Sequence, residues 1–181
     1  MSLPNYLTFF RIFLVPFFFT ELVSYHEGAE HHRWIAAVIL VVACLTDALD
    51  GLLARILNMK TPLGQFLDPL ADKLLLLSGY LGLLFVNGLP YHPPLWITVT
   101  IVFRDIVLLT GLVILFFITG SIQVQPNILG KCTTAFQMAT LTAILIGWKI
   151  SVALWYLTAL FTILSCFSYV IRELKKMRIV S

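Results

Sequence analysis

The sequence is short of charged residues. Only 12% of its 181 residues are Asp, Glu, Lys or Arg, whereas 60% are hydrophobic. Soluble domains usually carry about 25% charged residues, so this composition excludes an ordinary soluble fold and predicts an integral membrane protein. The net charge is +3, and the basic residues form no stripe of the kind that binds nucleic acid. The expected surroundings are the lipid bilayer, and no nucleic-acid partner is predicted.

Cysteine is also scarce. Cys44, Cys132 and Cys166 are scattered and odd in number, which excludes the clustered spacing of a disulfide or cysteine-metal framework. We expect all three to be small core residues.

Long apolar stretches, in contrast, are frequent. A helix needs about 20 apolar residues to cross a bilayer, and six stretches approach this length: 7–24, 34–56, 66–86, 95–119, 133–149 and 151–171. Polar residues or turn-forming Pro and Gly separate most of them. The sequence therefore predicts an all-α fold, a polytopic membrane bundle of six transmembrane helices in a single domain, 1–181.

The basic residues predict the orientation of this bundle. Apart from Arg11, Lys73 and Arg104, which fall within predicted spans, most of them lie on one side of the membrane, and that side is expected to be cytoplasmic. The list for it is Arg55, Lys60, Lys131, Arg172, Lys175, Lys176 and Arg178, against Arg33 and Lys149 on the other side. Both termini are therefore predicted to be cytoplasmic.

Two pairs of aspartates interrupt the apolar pattern. Asp47 and Asp50 are three residues apart near the end of the second span, and Asp68 and Asp72 are four apart near the start of the third. Each spacing places both members on one helical face, and antiparallel neighbouring helices would bring the two faces together at the cytoplasmic mouth. Pro69 disfavours helical geometry at the residue before it, so Asp68 is either an N-cap or a residue at a kink.

Such a cluster needs a cationic partner. Each carboxylate at bilayer depth costs at least about 2.5–3.5 kcal/mol, and neighbouring carboxylates repel one another. Carboxylate oxygens favour hard cations such as Mg²⁺, Mn²⁺ or Ca²⁺, and two such ions could clamp a diphosphate. Small Gly51 and Ala54 leave room for a substrate, and Arg55 offers a fork for a phosphate. The alternative is packing by ion pairs, such as Asp72 with Lys73 or Arg104 with Asp105.

The pattern D-x-x-D-G-x-x-A-R, eight residues, G-x-x-x-D-x-x-x-D over 47–72 resembles the signature of the CDP-alcohol phosphotransferases. The resemblance implies an enzyme that holds two divalent metal ions, Mg²⁺ or Mn²⁺, on four carboxylates: Asp47, Asp50, Asp68 and Asp72. It implies a pocket for a CDP-linked lipid shaped by Gly51, Ala54, Arg55 and Gly64. It also implies that Asp72 is the general base that activates an acceptor hydroxyl, with release of CMP.

Two further stretches resemble the phosphatidylglycerophosphate synthase and cardiolipin synthase branch of this family. The first is P-N-x-L-T-x-x-R at 4–11, where Asn5, Thr8 and Arg11 are spaced to share a face that could contact nucleotide phosphates. The alternative there is an N-terminal cap and a snorkelling arginine. The second is G-K-x-x-T-x-x-Q at 130–137, which makes Lys131, Thr134 and Gln137 candidates for binding the acceptor together with Arg104. The alternative for Arg104 is the ion pair with Asp105.

The acceptor alcohol stays open between two compounds. We favour sn-glycerol 3-phosphate, because its use is the commonest activity of the branch. Arg104 followed by Asp105, with no second arginine near Leu112, instead resembles cardiolipin synthases that use phosphatidylglycerol. The resemblance further implies CDP-diacylglycerol as donor, a homodimer, and a place in the bacterial cytoplasmic (inner) membrane with the active site facing the cytoplasm.

Two hypotheses of other classes compete with the enzyme. Carboxylates inside a membrane also build ion or proton pathways, but a transporter should hold them near the midplane, whereas these lie at one end. The other competitor is a non-catalytic scaffold subunit, for which the aspartates would be dispensable.

Overall fold

The structure is a computed structural model that describes residues 3–56, 62–119 and 128–180, with side chains at 8–47, 67–111, 113, 114, 117 and 128–168. Within these residues the regular secondary structure is all helix, joined by short turns, and contains no strand. Six helices follow one another along the chain: α1 (Leu3–Val23), α2 (Glu30–Ile56), α3 (Pro62–Gly82), α4 (Leu95–Thr119), α5 (Ile128–Ile146) and α6 (Ser151–Val180). The prediction of an all-α fold is therefore confirmed.

The ends of several helices differ from the predicted spans. Helix α1 begins at Leu3, since proline is tolerated in a first turn and Pro4 does not delay it. Helix α2 begins at Glu30, an acidic residue that favours a helix N-terminus. Helix α6 runs to Val180, beyond its apolar part. These differences arise because hydropathy measures the apolar length of a helix and not its hydrogen-bonded length.

The start of α3 decides the position of Asp68. The helix begins at Pro62 and contains Pro69, so Asp68 lies within it and is not an N-cap. Proline inside a helix removes one backbone hydrogen bond but does not always end the helix, and here the helical backbone continues through it.

Helix α5 ends with a left-handed glycine. Gly147 has a φ of 80°, a conformation in which a side chain is strained. The backbone amides of Gly147 and Trp148 both bond to the carbonyl of Ala143, at 3.1 and 2.9 Å, which caps the end of the helix. The chain then enters α6 at Ser151, and α5 packs closely against α6, as the short connection predicted.

Helix α1 packs against both α2 and α3, and this arrangement positions the site. Helix α4 contacts α3 and α6, while α2 contacts α5. The buried core at the meeting of these helices includes Phe18, Leu22, Leu40, Leu75, Leu76, Leu141 and Ile144. The two halves of the aspartate motif, on α2 and α3, thus share α1 as a packing partner.

Glycines on α3 allow its neighbours to approach closely. A Cβ added to Gly79 would collide with a methyl group of Leu141 and lie 3.1 Å from Phe18. A Cβ on Gly82 would lie 2.6 Å from Leu22. The small residues of α3 therefore serve contacts inside the bundle, with α1 and α5.

The outer surface of the bundle is apolar. Large hydrophobic side chains are exposed on α1, α2, α4 and α6, among them Phe13, Phe17, Val38, Leu45, Phe103, Ile106, Leu160 and Phe167. Two helical segments in the described part of the chain, Ile128–Ile146 and Ser151–Ser168, are long and apolar enough to cross a membrane. The other four spans stay predictions.

Candidate active site

One buried arginine joins the two halves of the aspartate motif. Arg11 lies in the first half of α1, and its Nη1 atom is 2.8 Å from Oδ1 of Asp47 on α2 and 2.7 Å from Oδ1 of Asp72 on α3. Both bonds end on the same nitrogen, so the two carboxylate oxygens lie within two hydrogen-bond lengths of each other. Aspartates 25 residues apart in sequence are thus brought together across three helices.

Exposure differs sharply within this group. The side chain of Arg11 is 1% exposed, whereas those of Asp47 and Asp72 are 44% and 28% exposed. The guanidinium therefore lies behind the carboxylates, which remain accessible. A substrate or a metal ion could reach the acids without passing the arginine.

A hydroxyl on α1 holds a third aspartate of the motif. The Oγ1 atom of Thr8, which is fully buried, donates to Oδ1 of Asp68 at 2.6 Å. Thr8 lies three residues before Arg11, so both side chains project from one face of α1. The sequence pattern had placed Thr8 and Arg11 on a common face, but it assigned that face to nucleotide phosphates. In the structure both side chains bond to the aspartates.

A second buried polar network lies beside the first. Asp105 on α4 is 1% exposed and accepts three hydrogen bonds. Its Oδ1 atom accepts hydrogen bonds from Nζ of Lys73 at 3.0 Å and from Nη1 of Arg104 at 2.7 Å. Its Oδ2 atom accepts one from the side-chain amide of Gln137 at 2.9 Å. Arg104 also donates to the hydroxyl of Ser165 at 2.8 Å. This network links α3, α4, α5 and α6.

Of the two ion pairs considered as an alternative to a metal site, the structure contains one. The pair between Arg104 and Asp105 is confirmed. Lys73, however, pairs with Asp105 and not with its neighbour Asp72, because adjacent residues on a helix point about 100° apart. Helix α3 thus directs Asp72 toward α1 and Lys73 toward α4. No sequence pattern predicted the participation of Ser165, which lies in the apolar part of α6.

The four residues predicted to bind an acceptor fall in two places. Arg104 and Gln137 meet at Asp105 in the buried network. Lys131 is exposed near the start of α5, and the hydroxyl of Thr134 donates to the carbonyl of Gly130 in its own helix at 3.1 Å. The hydrogen bonds of the buried network thus join Arg104 to Gln137 but not to Lys131 or Thr134.

Several predicted site residues lie outside the described side chains. The fourth aspartate and the candidates for the CDP-lipid pocket belong to the helical backbones of α1, α2 and α3, but the placement of their side chains is not described: Asn5, Asp50, Gly51, Ala54, Arg55 and Gly64. Their roles stay predictions.

The chemistry of the acids suits a divalent metal. Asp47, Asp68 and Asp72 supply only carboxylate oxygens, which are the ligands that Mg²⁺ and Mn²⁺ prefer. Among the described side chains, no three acidic, histidine or cysteine residues lie close enough to hold a metal, and Arg11 and Thr8 bond to the acids instead. The chemical type of these ligands thus fits Mg²⁺ or Mn²⁺. The fourth proposed ligand, Asp50, lies outside the described side chains.

Comparison with known proteins decides the family. A family profile described as CDP-alcohol phosphatidyltransferase matches residues 1–164. The chain belongs to this family. The matched range contains all four motif aspartates together with Thr8, Arg11, Lys73, Arg104, Asp105 and Gln137, and it ends one residue before Ser165.

Curated relatives cover different shares of the chain. A "Probable phosphatidylglycerophosphate synthase" of Mycobacterium tuberculosis (strain H37Rv) is 42% identical over 108 residues, which is 58% of this chain but only 48% of that relative. This chain therefore aligns with about half the length of the mycobacterial relative. Two proteins named "CDP-diacylglycerol--glycerol-3-phosphate 3-phosphatidyltransferase" align more completely. The one from Bacillus subtilis (strain 168) is 33% identical over 80% of this chain and 77% of its own. The one from Shigella flexneri is 30% identical over 93% and 92%.

Proposed function

We propose that this protein transfers the phosphatidyl group of CDP-diacylglycerol to sn-glycerol 3-phosphate and releases CMP. The observation that carries the proposal is the meeting of Asp47 and Asp72, from different helices, at one nitrogen of Arg11. Their half-exposed carboxylates form the acidic centre that transfer from a diphosphate requires. The choice of acceptor is supported by the relatives whose names specify glycerol 3-phosphate and which align over most of their length.

Asp72 is the proposed general base. Its carboxylate is held by Arg11 at 2.7 Å and remains 28% exposed, so an acceptor hydroxyl can approach it. Asp72 would take the proton from that hydroxyl. The acceptor oxygen then forms a bond to the phosphorus on the lipid side of the diphosphate, and the bond from this phosphorus to the CMP oxygen breaks.

The proposed metal ligands are Asp47, Asp50, Asp68 and Asp72, for two Mg²⁺ or Mn²⁺ ions. Bound divalent ions supply charge neutralisation for the diphosphate and for the leaving phosphate. Within the protein, Arg11 contacts Asp47 and Asp72, and Thr8 donates to Asp68. Asn5, Thr8, Gly51, Ala54, Arg55 and Gly64 are the proposed contacts of the CDP-lipid, and Arg104, Lys131, Thr134 and Gln137 those of the acceptor.

We also propose that all six helices cross the bacterial cytoplasmic membrane as one domain, 1–181, with both termini and the acids on the cytoplasmic side. The exposed apolar residues of α1, α2 and α4 support this proposal, because such surfaces are stable only against lipid or a partner. The basic residues near the predicted cytoplasmic ends support the orientation. The proposed homodimer rests on the family resemblance alone.

The test is a transfer assay with the purified protein. CDP-diacylglycerol and Mn²⁺ are incubated with either glycerol 3-phosphate or phosphatidylglycerol, and CMP and the lipid product are measured. We expect phosphatidylglycerophosphate with the first acceptor, and a loss of about a thousandfold for Asp72→Asn, in the range of lost general-base catalysis. Glu21→Gln is the matched control. Glu21 lies on α1, ten residues after Arg11, and pairs with His32 and not with the aspartates, so this substitution should leave the rate unchanged. Cardiolipin as product would reassign the acceptor, and ion flux without CMP release would favour a transporter.

A further inference from the structure

Arg11 contacts two of the proposed metal ligands, Asp47 and Asp72. We infer that Arg11 is the protein's own counter-cation for Asp47 and Asp72, and that a divalent metal binds these acids in competition with it. Arg11 thus stabilises the metal-free protein and weakens metal binding. The inference rests on the proposed metal role of the two aspartates.

The geometry supports a counter-cation more strongly than a snorkelling side chain. A snorkelling arginine extends its charged end toward water, but the side chain of Arg11 is 1% exposed. Its Nη1 atom lies 2.8 Å from Asp47 and 2.7 Å from Asp72. A guanidinium keeps its charge at every accessible pH, so α1 delivers a permanent positive charge between two carboxylates that would otherwise repel each other.

The same placement works against a metal ion. A divalent cation bound to these oxygens would add two positive charges beside the guanidinium, and repulsion at this range is strong where the dielectric constant is low. Removal of the arginine charge should therefore strengthen metal binding while it weakens the metal-free fold. A residue that only positioned the acids for the metal would have the opposite effect on affinity.

The test measures metal binding without turnover. Full-length wild-type protein, Arg11→Met and Arg11→Gln are purified in detergent and titrated with Mn²⁺, and free Mn²⁺ is followed by electron paramagnetic resonance. Methionine keeps most of the length of the side chain, and glutamine keeps a hydrogen-bond donor. We expect the Mn²⁺ dissociation constant to fall by at least about tenfold in both variants, as the loss of one nearby positive charge implies.

Thermal unfolding provides the second readout. Without metal, both variants should unfold at a lower temperature than the wild type, and Mn²⁺ should raise their Tm by more than it raises that of the wild type. A variant that folds only when Mn²⁺ is present would also support the inference, because the metal would then replace the missing charge of Arg11. Arg33→Met is the matched control, since Arg33 pairs with Glu30 at 2.7 Å and is 12% exposed, and it should leave the Mn²⁺ affinity unchanged.

Three results would overturn the inference. An unchanged dissociation constant would show that Arg11 does not compete with the metal, and a weaker affinity would make it a positioning residue for the ligands. Failure of both variants to fold even with Mn²⁺ would make Arg11 an anchor that a metal cannot replace. Absence of Mn²⁺ binding by the wild type is a separate result, because it would contradict the proposed metal centre itself.

Discussion

Replacement of Asp105 tests the second buried network. Asp105→Asn preserves the shape of the side chain but removes the only carboxylate bonded to Lys73 and Arg104 among the described contacts. Two buried cations would then lie close together without their shared counter-charge. We expect the variant to lose about 3–5 kcal/mol of unfolding free energy, which is the usual cost of breaking a buried ion pair by removing one partner.

The expected loss for Asp105→Asn can be compared with that for removing a hydrogen bond to an uncharged side chain in the same network. Ser165→Ala removes the hydroxyl that accepts from Arg104 at 2.8 Å but leaves every charge in place. A hydrogen bond between side chains in a membrane protein contributes on average about 0.6 kcal/mol, so this variant should remain within about 1 kcal/mol of the wild type. The two substitutions thus separate the role of charge from that of hydrogen bonding.

The assay is denaturant-induced unfolding in detergent micelles, followed by circular dichroism. A double variant, Asp105→Asn with Lys73→Met, removes one of the two cations and should recover part of the loss, with an interaction energy of about 1–3 kcal/mol. A loss below about 1 kcal/mol in Asp105→Asn would refute the reasoning, since pairs that are exposed to solvent have values of that size. It would mean that water reaches the network.

Two further substitutions test contacts made by α3. Gly79→Ala places a methyl group against Leu141 and Phe18 and should cost about 1–3 kcal/mol of unfolding free energy by overpacking. Gly111→Ala is the control, because a Cβ there meets nothing within 4 Å and should cost no stability. Equal losses in the two variants would contradict the packing around Gly79. Thr8→Val removes the hydroxyl that donates to Asp68, and a hydrogen bond to a charged group contributes about 1.5–3 kcal/mol. The value of kcat/KM for phosphatidyl transfer should therefore fall about tenfold or more in Thr8→Val. Thr8→Ser keeps the hydroxyl and should keep the wild-type rate. Equal rates for the valine and serine variants would show that the hydroxyl is not needed.

The sequence predicted the helices, because apolar length is a local property of the chain. It also predicted that the acids of α2 and α3 converge, and the structure brings Asp47 and Asp72 together. Apolar length located five of the six helices to within about five residues at each end, whereas α6 runs beyond its predicted end to Val180. Intervals of three and four residues predicted that each aspartate pair shares one face. The partner that joins the pairs could not be predicted in the same way. Arg11 bonds to Asp47 and Asp72 only because α1 packs against both α2 and α3, and a packing order is not encoded in the periodicity of one helix.

The partner of Lys73 illustrates a second limit. Neighbours in sequence suggested a pair with Asp72, but the helical rotation between adjacent residues turns Lys73 toward Asp105 on α4. Gln137 and Ser165 join the same network from α5 and α6. Both are polar residues in largely apolar helices, so the sequence shows that each needs a polar partner but not which helix supplies it.

Helix α3 contributes one residue to each of the two polar networks. Asp72 and Lys73 are adjacent, yet one faces the accessible acids and Arg11 while the other faces the buried carboxylate of Asp105. A rotation of α3 that improved one set of contacts would therefore disturb the other. Because Asp105 lies on α4 and also binds Gln137 from α5, two helices that do not carry the aspartate motif help to fix the rotational position of the proposed base. Loss of the buried network should consequently lower the rate of transfer even where the acids themselves are intact.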